Sequence, residues 1–153
     1  MMNPREAILD ALCALLAQAR FSTPINGCAT WALLSRRLKL WSDVASADQP
    51  ALFVTEHGET ITYGSESLPG KTTLNVDLFV YIAAGKDPDC VPASDLNIAL
   101  DAIQTCLAPR PADGRQTLGG LVAHCRIEGR IVKDPGDLDG QGLALVPIKI
   151  LGP

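Results

Sequence analysis

From Thr72 onward, five even-numbered positions in succession are apolar: Leu74, Val76, Leu78, Val80 and Ile82. Side chains in a strand alternate between its two faces, so this spacing predicts a long β-strand with one face in the core along its whole length. The odd positions begin polar, with Lys71, Thr73, Asn75 and Asp77, and turn aromatic at Phe79 and Tyr81. The second face therefore becomes apolar at its C-terminal end, and something must cover it there. A strand with these demands needs a further layer of secondary structure on its buried side.

The rest of the chain supplies candidates for that layer. A helix is expected from about Pro4, with Asn3 as N-cap, proline at the first helical position and Glu6 placed for a capping box. Its stripe is Ile8, Leu12, Leu15, Leu16 and Ala19, widened by Leu9 and Cys13, and Arg20 falls in the expected last turn. Phe21 to Asn26 reads as a loop. A strand is expected near Arg36–Trp41. Asp48-Gln49-Pro50 reads as a turn before a short β-run, Ala51–Glu56. His57 to Gly70 is polar and carries three glycines, with a short strand expected at Thr60–Tyr63. After a loop at Gly85–Pro92, a second helix is expected over Ser94–Leu107, where Leu96, Leu100, Ile103 and Leu107 form a one-sided stripe. Pro109 and Pro111 stop it. Leu121 to Val132 alternates again, with Leu121, Ala123, Cys125, Ile127 and Ile131 inward. Asp134-Pro135-Gly136 and Asp139-Gly140 separate it from a last strand, Leu143–Leu151. Pro147 within that strand predicts an edge position or a bulge. Together these elements predict one α+β domain over residues 1–153: an antiparallel or mixed sheet of four to five strands, with two helices on one face. Strands and helices do not alternate, which excludes a doubly wound fold.

Composition narrows the function. For 153 residues a folded surface of about 7,400 Å² is expected, enough to bury a real core. The chain is 47% apolar and only 20% charged, against about 25% charged for an average domain. Thirteen Lys and Arg face 17 Asp and Glu, a net charge of -4, so no basic footprint for sequence-specific nucleic-acid binding is present. The apolar run Ala11–Ala17 is far short of the roughly 20 residues of a membrane span. The run Ala7–Ala19 is interrupted by Asp10 and preceded only by Arg5 and Glu6, which argues against a signal peptide. A cytosolic chain with no membrane partner is expected. Cys13, Cys28, Cys90, Cys106 and Cys125 are odd in number and lack close pairing, so they read as small hydrophobes rather than zinc ligands. The shortage of charge leaves open what covers the apolar surplus.

Motif by motif, chemistry finds little footing. Ser65-Glu66-Ser67-Leu68-Pro69-Gly70-Lys71-Thr72 resembles a P-loop, but a P-loop needs a helix starting at its lysine, and here a strand pattern follows. Asp134, Asp137 and Asp139 resemble a calcium loop, yet the twelfth position carries no glutamate. His57 and His124 have no nucleophile placed beside them by a known motif, and Leu118-Gly119-Gly120 lacks dinucleotide-loop spacing. No catalytic, cofactor-binding or metal-binding residue is assigned. One pattern asks for a partner. Arg126, Glu128 and Arg130 alternate in sign along one expected strand face, ending in Val122 and Val132. They read either as a solvated face or as one side of a subunit interface, where charge sets register. Phe79 and Tyr81 favour the interface, as does a strand with Arg and no Lys.

The order of elements, together with several stretches, resembles the tail terminator proteins of long-tailed bacteriophages. Those stretches are the opening helix, Gln49-Pro50-Ala51-Leu52-Phe53-Val54, the strand Thr72–Ala83, Leu96–Leu107 with its proline-rich sequel, Gln116-Thr117-Leu118-Gly119-Gly120, and the closing Val146-Pro147-Ile148-Lys149-Ile150-Leu151. The resemblance implies a non-enzymatic virion protein of the tail, assembled in the host cytoplasm. It would form a ring of six subunits on the last ring of the tail tube, stop tube polymerisation and present a surface for head joining. Its partners would be itself, the tail tube protein and a head–tail connector protein, and genomic DNA would pass through its lumen. A ring uses heterologous contacts, for which Phe79, Tyr81, Arg126, Glu128 and Arg130 are the candidates. The alternatives are a head–tail connector or tail completion protein, or a small nucleotide-binding enzyme using the 64–72 loop.

Overall fold

The long alternating strand is the centre of the molecule. The computed structural model describes residues 4–83, 89 and 91–152. Within it β3 spans Lys71–Ala83, and Val76, Leu78, Val80 and Ile82 are all at most 1% exposed. Two helices, α1 (Pro4–Leu16) and α2 (Pro92–Cys106), cover that face. The other strands are β1 (Leu33–Ser35), β2 (Ala51–Thr62), β4 (His124–Ile127), β5 (Val132–Asp134) and β6 (Gln141–Leu151). The fold is α+β with a mixed sheet in the order β1-β2-β3-β6-β4, and β5 also pairs with β6. Among the described residues the sheet has six strands in five positions, in line with the expected four to five, because β4 and β5 share one position end to end along β6. Among the described residues only the β1–β2 pairing is parallel.

Leu9, Leu12 and Leu16 of α1 are buried, and Ile8, Ala11, Cys13 and Leu15 pack partly against the same core. The helix ends at Leu16, so Arg20 lies beyond it, its guanidinium donating to the Ala19 carbonyl. Glu6 receives Arg36 at 2.6 Å; the expected N-cap, Asn3, lies outside the described residues. α2 begins at Pro92, two residues earlier than expected, and Leu96, Leu100, Ile103 and Leu107 are buried as the stripe predicts. Most of the expected loop before it also lies outside the described residues.

Four expectations about strands are corrected. The strand expected near Arg36–Trp41 is instead β1, because only Leu33–Ser35 reaches the start of β2; Arg36 turns to Glu6 and Glu56, and Trp41 opens a 3-10 turn. β2 does not stop at Glu56. It continues through a bulge at His57, between Glu56 and Gly58, and absorbs the expected Thr60–Tyr63 strand. Leu121–Val132 is not one strand: β4 and β5 are separated by residues 128–131, Val122 is buried and Leu121 is 41% exposed, the reverse of the simple alternation.

The fourth correction explains the third. Pro147 sits in β6, flanked by β3 on one side and by β4 and β5 on the other, not at an edge. In an antiparallel ladder a residue's N–H and C=O point to the same neighbour. The Pro147 carbonyl accepts the Glu128 amide at 3.2 Å, so the missing donor faces the gap between β4 and β5. Gly129 occupies that gap at φ 119°, and a Cβ there would lie 3.1 Å from Pro147 Cγ. A proline that would break a continuous ladder is thus accommodated by interrupting its partner.

The aromatic end of the other sheet face is covered from within the chain. Val44, Ala51, Phe53 and Tyr81 form a second, smaller core, against which Leu33, Trp41, Phe79 and Leu143 pack. Its lid is the connection from β1 to β2, built of single 3-10 turns at Trp41–Asp43 and Ser46–Asp48 and a cis Gln49–Pro50 bond. The Trp41 and Phe53 rings lie 5.3 Å and 5.1 Å from the Tyr81 ring.

Gly129→Ala places a side chain in a backbone region that only glycine occupies freely, against Pro147. It should lower stability by about 1–3 kcal/mol, read as a lower urea midpoint at unchanged slope. An unchanged midpoint would show that the gap is slack.

Candidate subunit interface

The sheet face opposite the helices is built from the odd positions of β3 and β6, with the residues paired to them. Reading across the strands, Ala51, Tyr81, Leu143 and Asp134 form one row, and Phe53, Phe79, Leu145 and Val132 the next. Thr55, Asp77 and Pro147 follow, then Gly58, Asn75, Lys149 and Arg126, then Thr60, Thr73, Leu151 and His124. The face therefore grades from aromatic and aliphatic to polar and charged.

The sequence-derived candidates are distributed unevenly over it. Tyr81 is only 6% exposed; its hydroxyl donates to the Lys39 carbonyl at 2.6 Å, and burial raises its pKa. Its cover is therefore the chain's own 3-10 lid, and the expectation that it presents surface to a neighbour is corrected. Phe79 is half-buried at the margin of the same cluster. Arg126 stands on β4 about 20 Å from the Tyr81 row, six strand residues away at about 3.4 Å each. Its Nε and Nη2 donate to Glu128 Oε1 at 3.0 and 2.8 Å, and Lys149 Nζ lies 2.9 Å from Oε2. Glu128 lies just past β4 and Arg130, exposed, further into the interruption, so the three charges do not form a row on one strand. The structure brings Arg126 and Glu128 together with Lys149, keeps Phe79 apart from them, and leaves Arg130 in the gap.

Between the two groups lie residues that sequence reasoning missed: Leu145, half-buried, and Val132, 50% exposed, in line with Phe79. The signal was present in the odd positions of β6. It was masked because the even positions, Ala144, Val146, Ile148 and Ile150, are apolar as well.

The other sequence motifs take structural roles. Lys71 begins a strand, and the segment before it joins β2 to β3, so the helix that a P-loop needs to start at its lysine is a strand here. Asp134 Oδ1 and Asp139 Oδ1 accept the amides of Gly136 and Gln141 within the turn. His124 Nδ1 accepts the Gln116 amide at 3.1 Å beside a cleft of about 400 Å³ at the end of α2. His57 Nδ1 lies 3.1 Å from Asp77 Oδ2 across the bulge. Burial pushes the Cys125 thiol up to about 12, which makes it inert rather than nucleophilic near neutral pH. No helix among the described residues is long and apolar enough to cross a membrane. Comparison with family models and with curated protein sequences finds no match for the chain.

The Glu128 carboxylate is held below its ordinary pKa, first by the hydrogen bond from Lys149 and then by that from Arg126. A lowered carboxylate pKa stabilises the fold above the unfolded pKa, and that contribution disappears as the pH falls through the folded value. The Glu128 side chain is exposed, so the contribution is small. A carbon-detected NMR titration should place its midpoint below the ordinary glutamate range. Lys149→Met should raise it more than Arg126→Met; the opposite ranking would overturn this account of the network.

Proposed function

We propose that the chain is a structural subunit of a phage virion, one that forms a ring on the end of a tail tube, stops tube polymerisation and provides the surface for head joining. The observation that carries this reading is the helix-free sheet face, whose strip of Phe79, Leu145 and Val132 continues past the intrachain lid. The total exposed surface supports it: 8917 Å², against about 7,400 Å² expected for a compact monomer of this mass. Closing a ring requires two different patches per subunit. On this reading the strip is one patch, and Arg126, Glu128 and Lys149 at its polar end set orientation. Arg130 extends the charged margin, and Tyr81 acts by holding the lid that shapes the strip's far end. The ring is expected to have six copies, with the tail tube protein and a head–tail connector as its other partners. It acts in the virion tail after assembly in the host cytoplasm.

Val132→Asp tests the reading, because the residue is half exposed and a charge there should cost the fold little. Particles carrying it should have tails of uncontrolled length in electron micrographs, while the purified variant keeps its melting temperature. Normal-length tails that fail to join heads would instead assign the protein to tail completion. A strict monomer by light scattering, both alone and mixed with tail tubes, would sink both assembly roles.

A further inference from the structure

β2 has an open edge. Its inner side pairs with β3 along the full length, but on its outer side β1 reaches only Ala51–Phe53. Among the described residues no strand pairs with the outer side of positions 54–62. The ladder pattern fixes which groups are left over. The pairing of Pro147 with Glu128 turns the Asp77 amide and carbonyl towards β2, so Asn75 and Thr73 also face β2, and with them their partners Gly58 and Thr60. The N–H and C=O of Glu59, Ile61 and Tyr63 therefore point outward.

Open edges are normally blocked by a bulge, a proline or an inward charge. Here the bulge at His57 protects only the stretch before it. The segment beyond, Glu59-Thr60-Ile61-Thr62-Tyr63, is exposed throughout, rich in β-branched and aromatic residues, and free of lysine and proline. Ile61 and Tyr63 are 51% and 68% exposed and close over Gly70, where a Cβ would lie within 3.0 Å of both side chains.

We infer that this edge pairs antiparallel with the same edge of a second copy, about a two-fold axis at Ile61. The sequence is self-complementary in that register. Ile61 falls opposite Ile61, Thr60 opposite Thr62, and Glu59 opposite Tyr63. No like charges meet, Thr–Thr pairs are favourable across strands, and the apolar residues share one face. The outward groups of Glu59, Ile61 and Tyr63 meet their counterparts, so each arm satisfies the other's backbone. Glu59 enters the contact with its charge already neutralised by Arg5 of its own α1. The contact is isologous, and ring closure needs heterologous patches, so it goes beyond the ring proposed above and joins copies in a separate way.

Two single substitutions test it on the whole chain. Ile61→Lys sets two lysines against each other on the axis and should weaken a dimer, measured by sedimentation equilibrium, at least about tenfold, equivalent to about 1.4 kcal/mol. Its melting temperature as a monomer should match that of the parent, since the residue is exposed. Ile61→Cys should give a covalent dimer on mild oxidation, whereas Thr62→Cys, which meets Thr60 and not itself, should not. A parent chain that is monomeric at 100 µM (an order-of-magnitude ceiling for a weak contact), a dimer that Ile61→Lys leaves intact, or equal cross-linking at both positions would each overturn the inference. Pairing of the arm only with strands of tail tubes would do the same and assign the edge to a different occupant.

Discussion

Everything in this fold depends on the burial of one sheet face, formed by the even-numbered side chains of β3 and β6, beneath two helices. Leu78, Val80, Ile82, Ala144, Val146 and Ile150 are fully buried there, with Leu12 and Leu16 of α1 and Leu96 and Ile103 of α2 packed upon them. Burying each large aliphatic side chain contributes about 1.5–3 kcal/mol relative to leaving it exposed. The ion pairs joining α1 to β2, such as Arg5–Glu59, lie on the surface and add little by comparison. They orient the helix on a sheet that hydrophobic burial has already fixed.

What the sequence makes legible follows from how strongly each signal outweighs its competitors. β3 and both helices can be read directly, because a strict two-residue or near-four-residue period admits no second interpretation. β1 cannot, since a three-residue parallel strand is defined by its neighbour and not by its own pattern. In the sequence β2 reads as ending at Glu56 because the bulge at His57 resets its alternation, and Gly58 looks like a terminator when it is the point where pairing resumes. Pro147 misleads in a different way. The rule confining proline to edges concerns the missing donor, and here an interruption in the neighbouring strand meets it.

The candidate interface was partly legible. Arg126 and Glu128 do interact, but across the end of β4 rather than along one continuous strand. The alternation does show that Phe79 and Tyr81 need cover, but not where that cover comes from. Nothing in the spacing of residues 41–48 shows that two 3-10 turns fold back over the sheet, because that cover is a tertiary contact with no periodicity of its own. The chain's apolar surplus is thus divided between an internal lid and a strip the lid does not reach.

The strand order has a consequence for how the molecule is made. β6, the last strand of the sheet in chain order, inserts between β3 and the β4–β5 position, pairing Thr73 with Leu151 and Ala83 with Gln141. Until it leaves the ribosome, β3 shows a long unpaired edge, and the helices have only half a sheet to pack on. Such non-local pairing is slow, since the loop must close before any contact rewards it. The nascent chain therefore completes its core only once β6 has emerged, and up to that moment its exposed β3 edge is open to capture by other strands.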